Sequence, residues 1–435
     1  MTKECCICNK EDWEDLDYIR NHEQWYKMDM RNDDEPVGFK VCRNCGYVTY
    51  NYIDKDRLSE IYNRQRQIMS SANIPTCNRK NLYHKTFLDD CEDKGFLNLK
   101  SNLKCLDVGM AQGAFLNLLH EEYGIKKSNL YGTEWSESFK NFGKYEYGIN
   151  ASKEIDRTIQ YDFISYYHVL EHIQNPVQEL MDIRSNLKDD GFLYLSVPVW
   201  FESLEEFSGP ILSSFENLYH VNHCCVFSKN SLLNVLRKTG FEIIHDNSDL
   251  YAYTILLKKV DPKDEVIKEN YQEIKTDLEN QKEAIELCNL AKYDEAMKVY
   301  PNFPDVYILN CMHRDVTKEF DLQVKILNQG LEETNNSVKI MYQLGVLYYQ
   351  WDMVTRSTPE NQYYSNNIKK SEKILKDSLT RKPTEDTLYI LAMIEGQYKH
   401  NYEESVRMFK QILEINPSRF KEIWDRISYM WKEKK

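Results

Sequence analysis

The sequence predicts an α/β fold class: a doubly wound, mostly parallel sheet in the middle of the chain, with a small module in front of it and an all-α helical-repeat module behind. Three observations carry this. Residues 80–260 alternate short apolar or β-rich runs with stretches of helical spacing, the pattern of βαβ units. Residues 1–60 hold two close cysteine pairs among aromatic and charged residues. From about residue 262 strand signals vanish and helical periodicity takes over. A chain of 435 residues exceeds one compact core, and a hydrophobic content of 42% suffices to build several. The junction at Asp261-Pro262-Lys263-Asp264-Glu265 is charged and broken by proline, which gives the expected segments 1–60, 61–260 and 262–435.

The front segment contains Cys5-Cys6-Ile7-Cys8 and Cys42-Arg43-Asn44-Cys45-Gly46, each with a C-x-x-C step. Two residues between ligands let a tight turn aim both sulfurs at one ion, and four thiolates close a tetrahedron around Zn²⁺. Gly46 suits the backbone reversal after the second pair. The stretch from Cys8 to Cys42 is longer than in a plain zinc ribbon, so another element must loop out. Cys6 competes with Cys5 as the ligand, although its spacing to Cys8 is poor. The alternative is chance cysteines in a cysteine-rich chain. The expected site is structural, with Cys5, Cys8, Cys42 and Cys45 as ligands, because four protein ligands leave no open position.

In the middle segment strands are expected at Leu103–Val108, Asn129–Thr133, Tyr161–Tyr166 and Phe192–Val197, with helices at Ala114–Glu122 and Pro176–Leu187. Ligands of such sheets bind at the carboxyl ends of the strands. There the chain reads Asp107-Val-Gly109-Met-Ala111-Gln-Gly113, with small residues that let the backbone turn sharply and approach a ligand. Alone this is a weak signal. Some twenty residues on, the second strand ends in Glu134, whose carboxylate can accept hydrogen bonds from both hydroxyls of a ribose. Trp135 beside it offers a face for an adenine ring.

Further along come Tyr161-Asp-Phe-Ile, His168-Val-Leu-Glu171-His172-Ile, Asn175-Pro176, and Leu187-Lys-Asp-Asp-Gly191 running to Pro198. The succession D-x-G-x-x-x-G, G-x-E, Y-D-x-I, H-x-L-E-H-I-x-x-P and L-K-x-x-G-x-L-x-L-x-V-P resembles the class I S-adenosylmethionine-dependent methyltransferases over residues 100–260. The resemblance implies a seven-stranded sheet with S-adenosylmethionine over the first two strand ends. By position, Asp107, Gly109, Ala111 and Gly113 would contact its methionine end, Glu134 its ribose and Trp135 its adenine. Ala111 departs from the family, which has glycine there. Asn150–Ser152, expected just after a third strand, lie near the adenine position without an acidic residue and receive no role. The cysteine pairs with Leu58-Ser-Glu-Ile-Tyr62 resemble the zinc-binding front domain of a subgroup that includes methyltransferases of nucleotide-linked deoxysugars.

Methyl transfer to a hydroxyl or carbon requires loss of a proton. His168, Glu171, His172, His220 and His223 are the candidate bases. His168 follows its strand on the cofactor side and is a candidate cofactor contact too. Glu171 and His172 read equally well as braces of the following helix. Sugar carbon-methylating relatives carry Tyr-Asp-Glu-His where this chain has His220-Val221-Asn222-His223. His223 keeps the histidine position, but an amide at Asn222 cannot take a proton as a carboxylate does. That leaves His223, His168 and His172 as the catalytic candidates.

Behind Pro262, Asn401-Tyr402-Glu403-Glu404-Ser405 with Phe409 and Pro417 resembles the second helix of a tetratricopeptide repeat. Leu344-Gly345 with Tyr348, the step from Ser371 to Pro383, and Tyr293-Asp-Glu-Ala296 echo it. An unrelated helical bundle is the alternative. Such arrays bind proteins or mediate self-association.

Lys and Arg total 56 against 69 Asp and Glu, a formal net charge of −13. That argues against nucleic acid and anionic lipid as partners. The short basic clusters Arg64/Arg66 and Arg79–Lys80 read as solvated helix surface. No hydrophobic run approaches the roughly 20 residues of a membrane span, and Met1-Thr-Lys-Glu-Cys5 lacks a signal-peptide core. A cytoplasmic enzyme is expected, in which twelve cysteines serve metal ligation or ordinary burial. Its expected acceptor is a small or nucleotide-linked molecule such as a sugar. A protein or RNA delivered by the repeats is the second candidate, and an inactive binding scaffold the third.

Overall fold

The computed structural model describes residues 4–16, 39–50, 74–198, 224–248, 252–355, 365–381 and 383–433. The chain divides into two compact units: residues 1–71, 85–209 and 213–282, and residues 72–84, 210–212 and 283–435.

The first unit opens with β1 (Trp13–Leu16), β2 (Phe39–Cys42) and β3 (Val48–Tyr50), an antiparallel trio around the cysteine turns. After helix α1 (Ile74–Asp93) the strand–helix alternation begins. It runs through β4 (Cys105–Val108), α2 (Ala114–Tyr123), β5 (Leu130–Thr133), α3 (Glu137–Glu146), β6 (Asn150–Ser152), β7 (Tyr161–Tyr167), α4 (Pro176–Asn186) and β8 (Leu187–Pro198). Then come β9 (Cys225–Val226), α5 (Lys229–Thr239), β10 (Phe241–Asp246) and β11 (Ala252–Lys259). Seven strands form a mixed sheet in the order β10, β11, β8, β7, β4, β5, β6. Pairing from β6 to β8 is parallel, and β11 runs against both neighbours. This is a Rossmann-like arrangement.

Several boundaries differ from expectation for local reasons. Leu103 N–H bonds the Lys100 carbonyl in a turn, so β4 starts at Cys105. Asn129 closes a short 3-10 turn before β5. Asn150–Ser152 are the third strand itself, at the sheet edge, where alternate exposure gives little apolar signal. In β8, Leu187 pairs with Tyr161 but the next pair is Phe192 with Phe163, so Lys188–Gly191 bulge outward. A Cβ on Gly191 would stand 2.8 Å from Leu187 Cδ1, which explains the glycine.

The core below the sheet gathers Phe87, Leu116, Leu119, Phe163 and Tyr194, with Phe87 and Tyr194 stacked at 4.8 Å between ring centroids. Each such side chain contributes about 1.5–3 kcal/mol by leaving water. Helix α5 is capped at both ends: Ser228 accepts from Ser231 N–H, and Gly240 adopts φ 72°.

The front trio belongs to this unit rather than hanging beside it. β3 pairs antiparallel with β9, completing a four-stranded sheet. Lys238, at the end of α5, donates to the carbonyls of Cys6 (3.0 Å) and Ile7 (2.8 Å) and to Asn9 Oδ1 (2.9 Å). The chain beyond Pro262 also packs here. Asn234 exchanges two hydrogen bonds with the Ile267 backbone, and Lys275 pairs with Glu14 at 2.8 Å. The unit accordingly runs on to Lys282.

Helix α6 (Tyr271–Asn289) begins in the first unit and ends in the second. The rest of the second unit is helical: α7 (Tyr293–Val299), α8 (Pro304–Met312), α9 (Val316–Glu333), α10 (Val338–Thr355), α11 (Asn366–Arg381), α12 (Glu385–Gln397), α13 (Tyr402–Ile415) and α14 (Phe420–Glu433). One contact recurs. Ser371 Oγ on α11 donates to the Gly345 carbonyl on α10, and Ser405 Oγ on α13 donates to the Ala392 carbonyl on α12, both at 2.7 Å. Small residues at all four positions let the helices of each pair approach closely. A Cβ on Gly345 would stand 2.6 Å from Leu375.

Candidate functional site

At the carboxyl end of β4 the backbone turns through three left-handed residues: Gly109 (φ 69°), Ala111 (φ 49°) and Gly113 (φ 82°). Ala111 therefore adopts the conformation glycine takes without cost, at about 1–2 kcal/mol of steric penalty. Its N–H donates to Glu134 Oε2 at 3.0 Å, which offsets part of that penalty. Gly109 has a second reason to be glycine, since an added Cβ would stand 2.7 Å from Val169 Cγ2. Met110 turns inward, buried against Gly132 and Gly143, and anchors the loop to β5 through its N–H to the Thr133 carbonyl at 2.9 Å. Ala111→Gly should relieve the turn and raise stability by up to about 1 kcal/mol after the entropy of the unfolded glycine is counted. Urea denaturation measures this; a clear loss of stability would mean the turn is unstrained.

Glu134 follows β5 and is 4% exposed. Besides Ala111 N–H, it accepts from Ser136 N–H at 2.8 Å through Oε1. Trp135 is half-exposed beside it. Asp107 is buried and accepts from Ser165 Oγ at 2.6 Å. Burial pushes its carboxyl up to about 7, the Ser165 bond lowers it, and the nearby charge of Glu134 raises it further. Ser165 escaped the sequence reading. Its signal was the one serine in the buried run Tyr161–Tyr167, in register with Asp107 across the β4–β7 pair. Asn150 turns its amide to the Ser128 and Leu130 carbonyls, so it serves the sheet edge.

The turn after β7 lies on the same loop through Val169. His168 has φ 56° and donates its N–H to the Ser196 carbonyl at 2.9 Å. A 3-10 turn spans Leu170–His172. Glu171 is wholly buried, with Oε1 3.7 Å from His168 Nδ1 and 3.7 Å from His172 Nε2. His220, Asn222 and His223 lie outside the described residues, as do Leu58–Tyr62.

The four expected metal ligands converge. The sulfurs of Cys5, Cys8, Cys42 and Cys45 all lie within 4.8 Å of one another. Cys5 faces Cys45 at 3.7 Å and Cys8 faces Cys42 at 3.5 Å. This geometry selects Cys5 over Cys6, whose thiol is pushed up to about 11, chiefly by burial. Hydrogen bonds from Cys45 and Cys5 push the Cys42 thiol down to about 2, while Cys42 raises those of both partners. Four sulfur donors crowded at this distance suit a soft divalent cation. The cluster connects to the histidine turn: Tyr47 OH donates to Cys225 Sγ at 2.8 Å, and Cys225 Sγ donates to the Ile173 carbonyl at 3.0 Å.

Residues 81–246 match a family model described as a methyltransferase domain. No curated protein matches the sequence. Among solved structures, an S-adenosylmethionine-dependent methyltransferase from Clostridium acetobutylicum ATCC 824 aligns with TM-score 0.34 and 11% identity, covering 47% of this chain and 99% of that one. A putative S-adenosylmethionine-dependent methyltransferase from Listeria monocytogenes gives 0.32 and 15%, over 42% and 99%. The plantazolicin methyltransferase BpumL, solved with a triazolic desmethylPZN analog and SAH, gives 0.34 and 15%, over 48% and 92%.

Proposed function

We propose that this chain, whose residues 81–246 form a class I S-adenosylmethionine-dependent methyltransferase domain, methylates a small or nucleotide-linked acceptor, a sugar or glycan precursor. The observation that carries the cofactor reading is the left-handed loop Gly109–Gly113 tied by Ala111 N–H to a buried Glu134. In this reading Asp107, Gly109, Ala111 and Gly113 hold the methionine end, Glu134 the ribose and Trp135 the adenine, with His168 beside them. S-adenosylmethionine, when bound, supplies an electrophilic methyl group on a sulfonium. The chain's own residues align the acceptor and remove its proton. His168 and His172 are the bases of this reading, supported by the packing of their turn on Gly109; His223 is the third candidate.

The sugar acceptor rests on the front segment. Cys5, Cys8, Cys42 and Cys45 would bind one structural Zn²⁺, and their convergence supports the resemblance to the deoxysugar subgroup. We assign residues 1–60 to metal binding, 61–260 to methyl transfer and 262–435 to tetratricopeptide-like repeats that bind a protein or a second copy. The recurring serine-to-carbonyl bond between paired helices supports the repeat reading. Among the described residues no helix is long and apolar enough to cross a membrane. We assign the enzyme to the cytoplasm.

The test is incubation of nucleotide sugars with the protein and methyl-labelled S-adenosylmethionine, read by mass spectrometry. A gain of one labelled methyl supports the acceptor class, and label found only on protein would replace it with a macromolecule docked by the repeats. Glu134→Ala should weaken S-adenosylhomocysteine binding by about 1–3 kcal/mol, as ribose hydroxyls lose a charged acceptor. Calorimetry measures this, and unchanged affinity in a folded variant would remove Glu134 from the site.

A further inference from the structure

We propose that Ser165 is a positioning residue for cofactor binding: its hydroxyl, set between the Asp107 carboxyl and the Leu106 carbonyl, holds Asp107 in the form that takes a cation. The inference rests on the reading of Asp107 as a contact of the cofactor's methionine end, and it names the group that readies that contact.

The sheet brings the two side chains together. β4 and β7 are parallel neighbours, and Asp107 stands opposite Ser165 in their register. Both side chains therefore leave the sheet on the same face. Ser165 is wholly buried and Asp107 is 5% exposed. A hydroxyl at that depth costs free energy unless it is bonded. Two oxygens lie within its reach: Asp107 Oδ1 at 2.6 Å and the Leu106 carbonyl at 3.4 Å. Serine has one hydroxyl hydrogen, so it serves one of them at a time. With Asp107 ionised, the hydroxyl donates to Oδ1, and the short distance is that of a bond to a charged acceptor. With Asp107 protonated, the carboxyl O–H donates to Ser165 Oγ, and the serine hydrogen turns to the Leu106 carbonyl. A rotation about the Cβ–Oγ bond separates the two states, and the hydroxyl is bonded in both.

The ionised state gains more from this pairing, because a hydrogen bond to a charged acceptor is stronger than a neutral one. Asp107 depends on that gain. Burial pushes its carboxyl up to about 7, the Ser165 bond opposes this, and the Glu134 charge adds to it. Tyr194, on β8, also feels the Asp107 charge and stays neutral, because burial holds its hydroxyl well above the usual tyrosine range. Among the described residues none supplies Asp107 with a positive charge. Ser165 is thus the group of the fold that keeps carboxylate charge available near neutral pH, and a cationic ligand completes the pairing.

The experiment titrates the full chain, labelled with ¹³C at aspartate carboxyls and free of cofactor, by NMR; Asp107→Asn identifies the Asp107 signal. Calorimetry then follows the affinity for S-adenosylhomocysteine, which keeps the ammonium of the methionine end, from pH 6 to pH 8.5. In Ser165→Ala the Asp107 midpoint should rise by about one pH unit. Affinity should fall about tenfold at pH 6 and recover to within about twofold of the wild type at pH 8.5. Ser165→Thr, which keeps the hydroxyl, should return the midpoint and the pH profile toward the wild type. An unmoved midpoint in a folded Ser165→Ala would overturn the proposal. So would a loss of affinity equal at pH 6 and pH 8.5, the mark of a packing role. Asp107→Asn binding S-adenosylhomocysteine as tightly as the wild type at pH 8.5 would instead overturn the reading of Asp107 beneath it, whatever the midpoint does in Ser165→Ala.

Discussion

With zinc held as proposed, a strong chelator, or replacing Cys42 by serine, should melt the four-stranded front sheet and lower the stability of the first unit far more than any other single change considered. Cys42 and Cys45 are fully buried, and all four sulfurs lie within 4.8 Å. Without a cation, ionised sulfurs at that separation repel and neutral thiols replace strong bonds with weak ones. Structural zinc supplies about 10 kcal/mol or more to small domains of this kind. Part of the loss should reach the histidine turn, because the Tyr47–Cys225–Ile173 contacts run from the second cysteine knuckle to its end. Elemental analysis should find about one zinc per chain, and thermal melting should show the chelated protein unfolding earlier. Cys6→Ser should keep its zinc. A zinc-free preparation with four freely reactive thiols and an unchanged melting curve would sink the assignment.

S-adenosylmethionine affinity should fall about tenfold per pH unit as pH drops below about 7, and should level off above it. The cause is Asp107, whose carboxyl is pushed up to about 7, chiefly by burial. In the proposed binding mode only its ionised form attracts the cationic methionine end. Below the raised value, binding must first expel a proton. The same shift acts on folding with the opposite sign from an ordinary carboxylate. The folded value lies above that of an ordinary aspartate, so stability is fully present below about 4 and is lost as pH rises toward 7. Three pKa units correspond to a penalty on the order of 4 kcal/mol at neutral pH. Asp107→Asn should therefore raise the melting temperature of the cofactor-free protein at pH 8 while weakening S-adenosylmethionine and flattening its pH dependence. Equal affinity across pH 6–8 in the wild type would remove Asp107 from the binding site.

The tight turn after β4 was legible because its requirements are local. Small residues at 109, 111 and 113 announce a turn, and the carboxylate after the next strand is the group the proposed reading gives to the ribose. The left-handed φ of Ala111 was not legible, since nothing in an alanine signals it; it follows from where Glu134 stands. β10 and β11 carry no βαβ signature and add to the parallel core as an antiparallel pair, which is why only the resemblance, with its seven-stranded sheet, accounted for them. Spacing left Cys5 and Cys6 both open, and only convergence with Cys45 separates them. Asp261–Glu265 reads as a linker by charge, yet the bonds of Asn234 to Ile267 and of Lys275 to Glu14 tie the next stretch to the first unit. Glu171 looked like a helix brace because burial of a charge is invisible to periodicity.

The pairing of β3 with β9 sets an order on how the protein can be made. Tyr47 and Cys225 are separated by 178 positions in the chain. During synthesis, Cys42 and Cys45 leave the ribosome early, and the sulfur cluster can close at once. The outer edge of β3 then waits, with its backbone groups unpaired, until five of the seven strands of the large sheet have been translated and Val226 has emerged. An open strand edge is a template for pairing with another chain. Nascent copies on one polysome therefore present their most adhesive surface for the longest time at this strand. A ribosome pause before β9 would lengthen that exposure, whereas a pause after it would not.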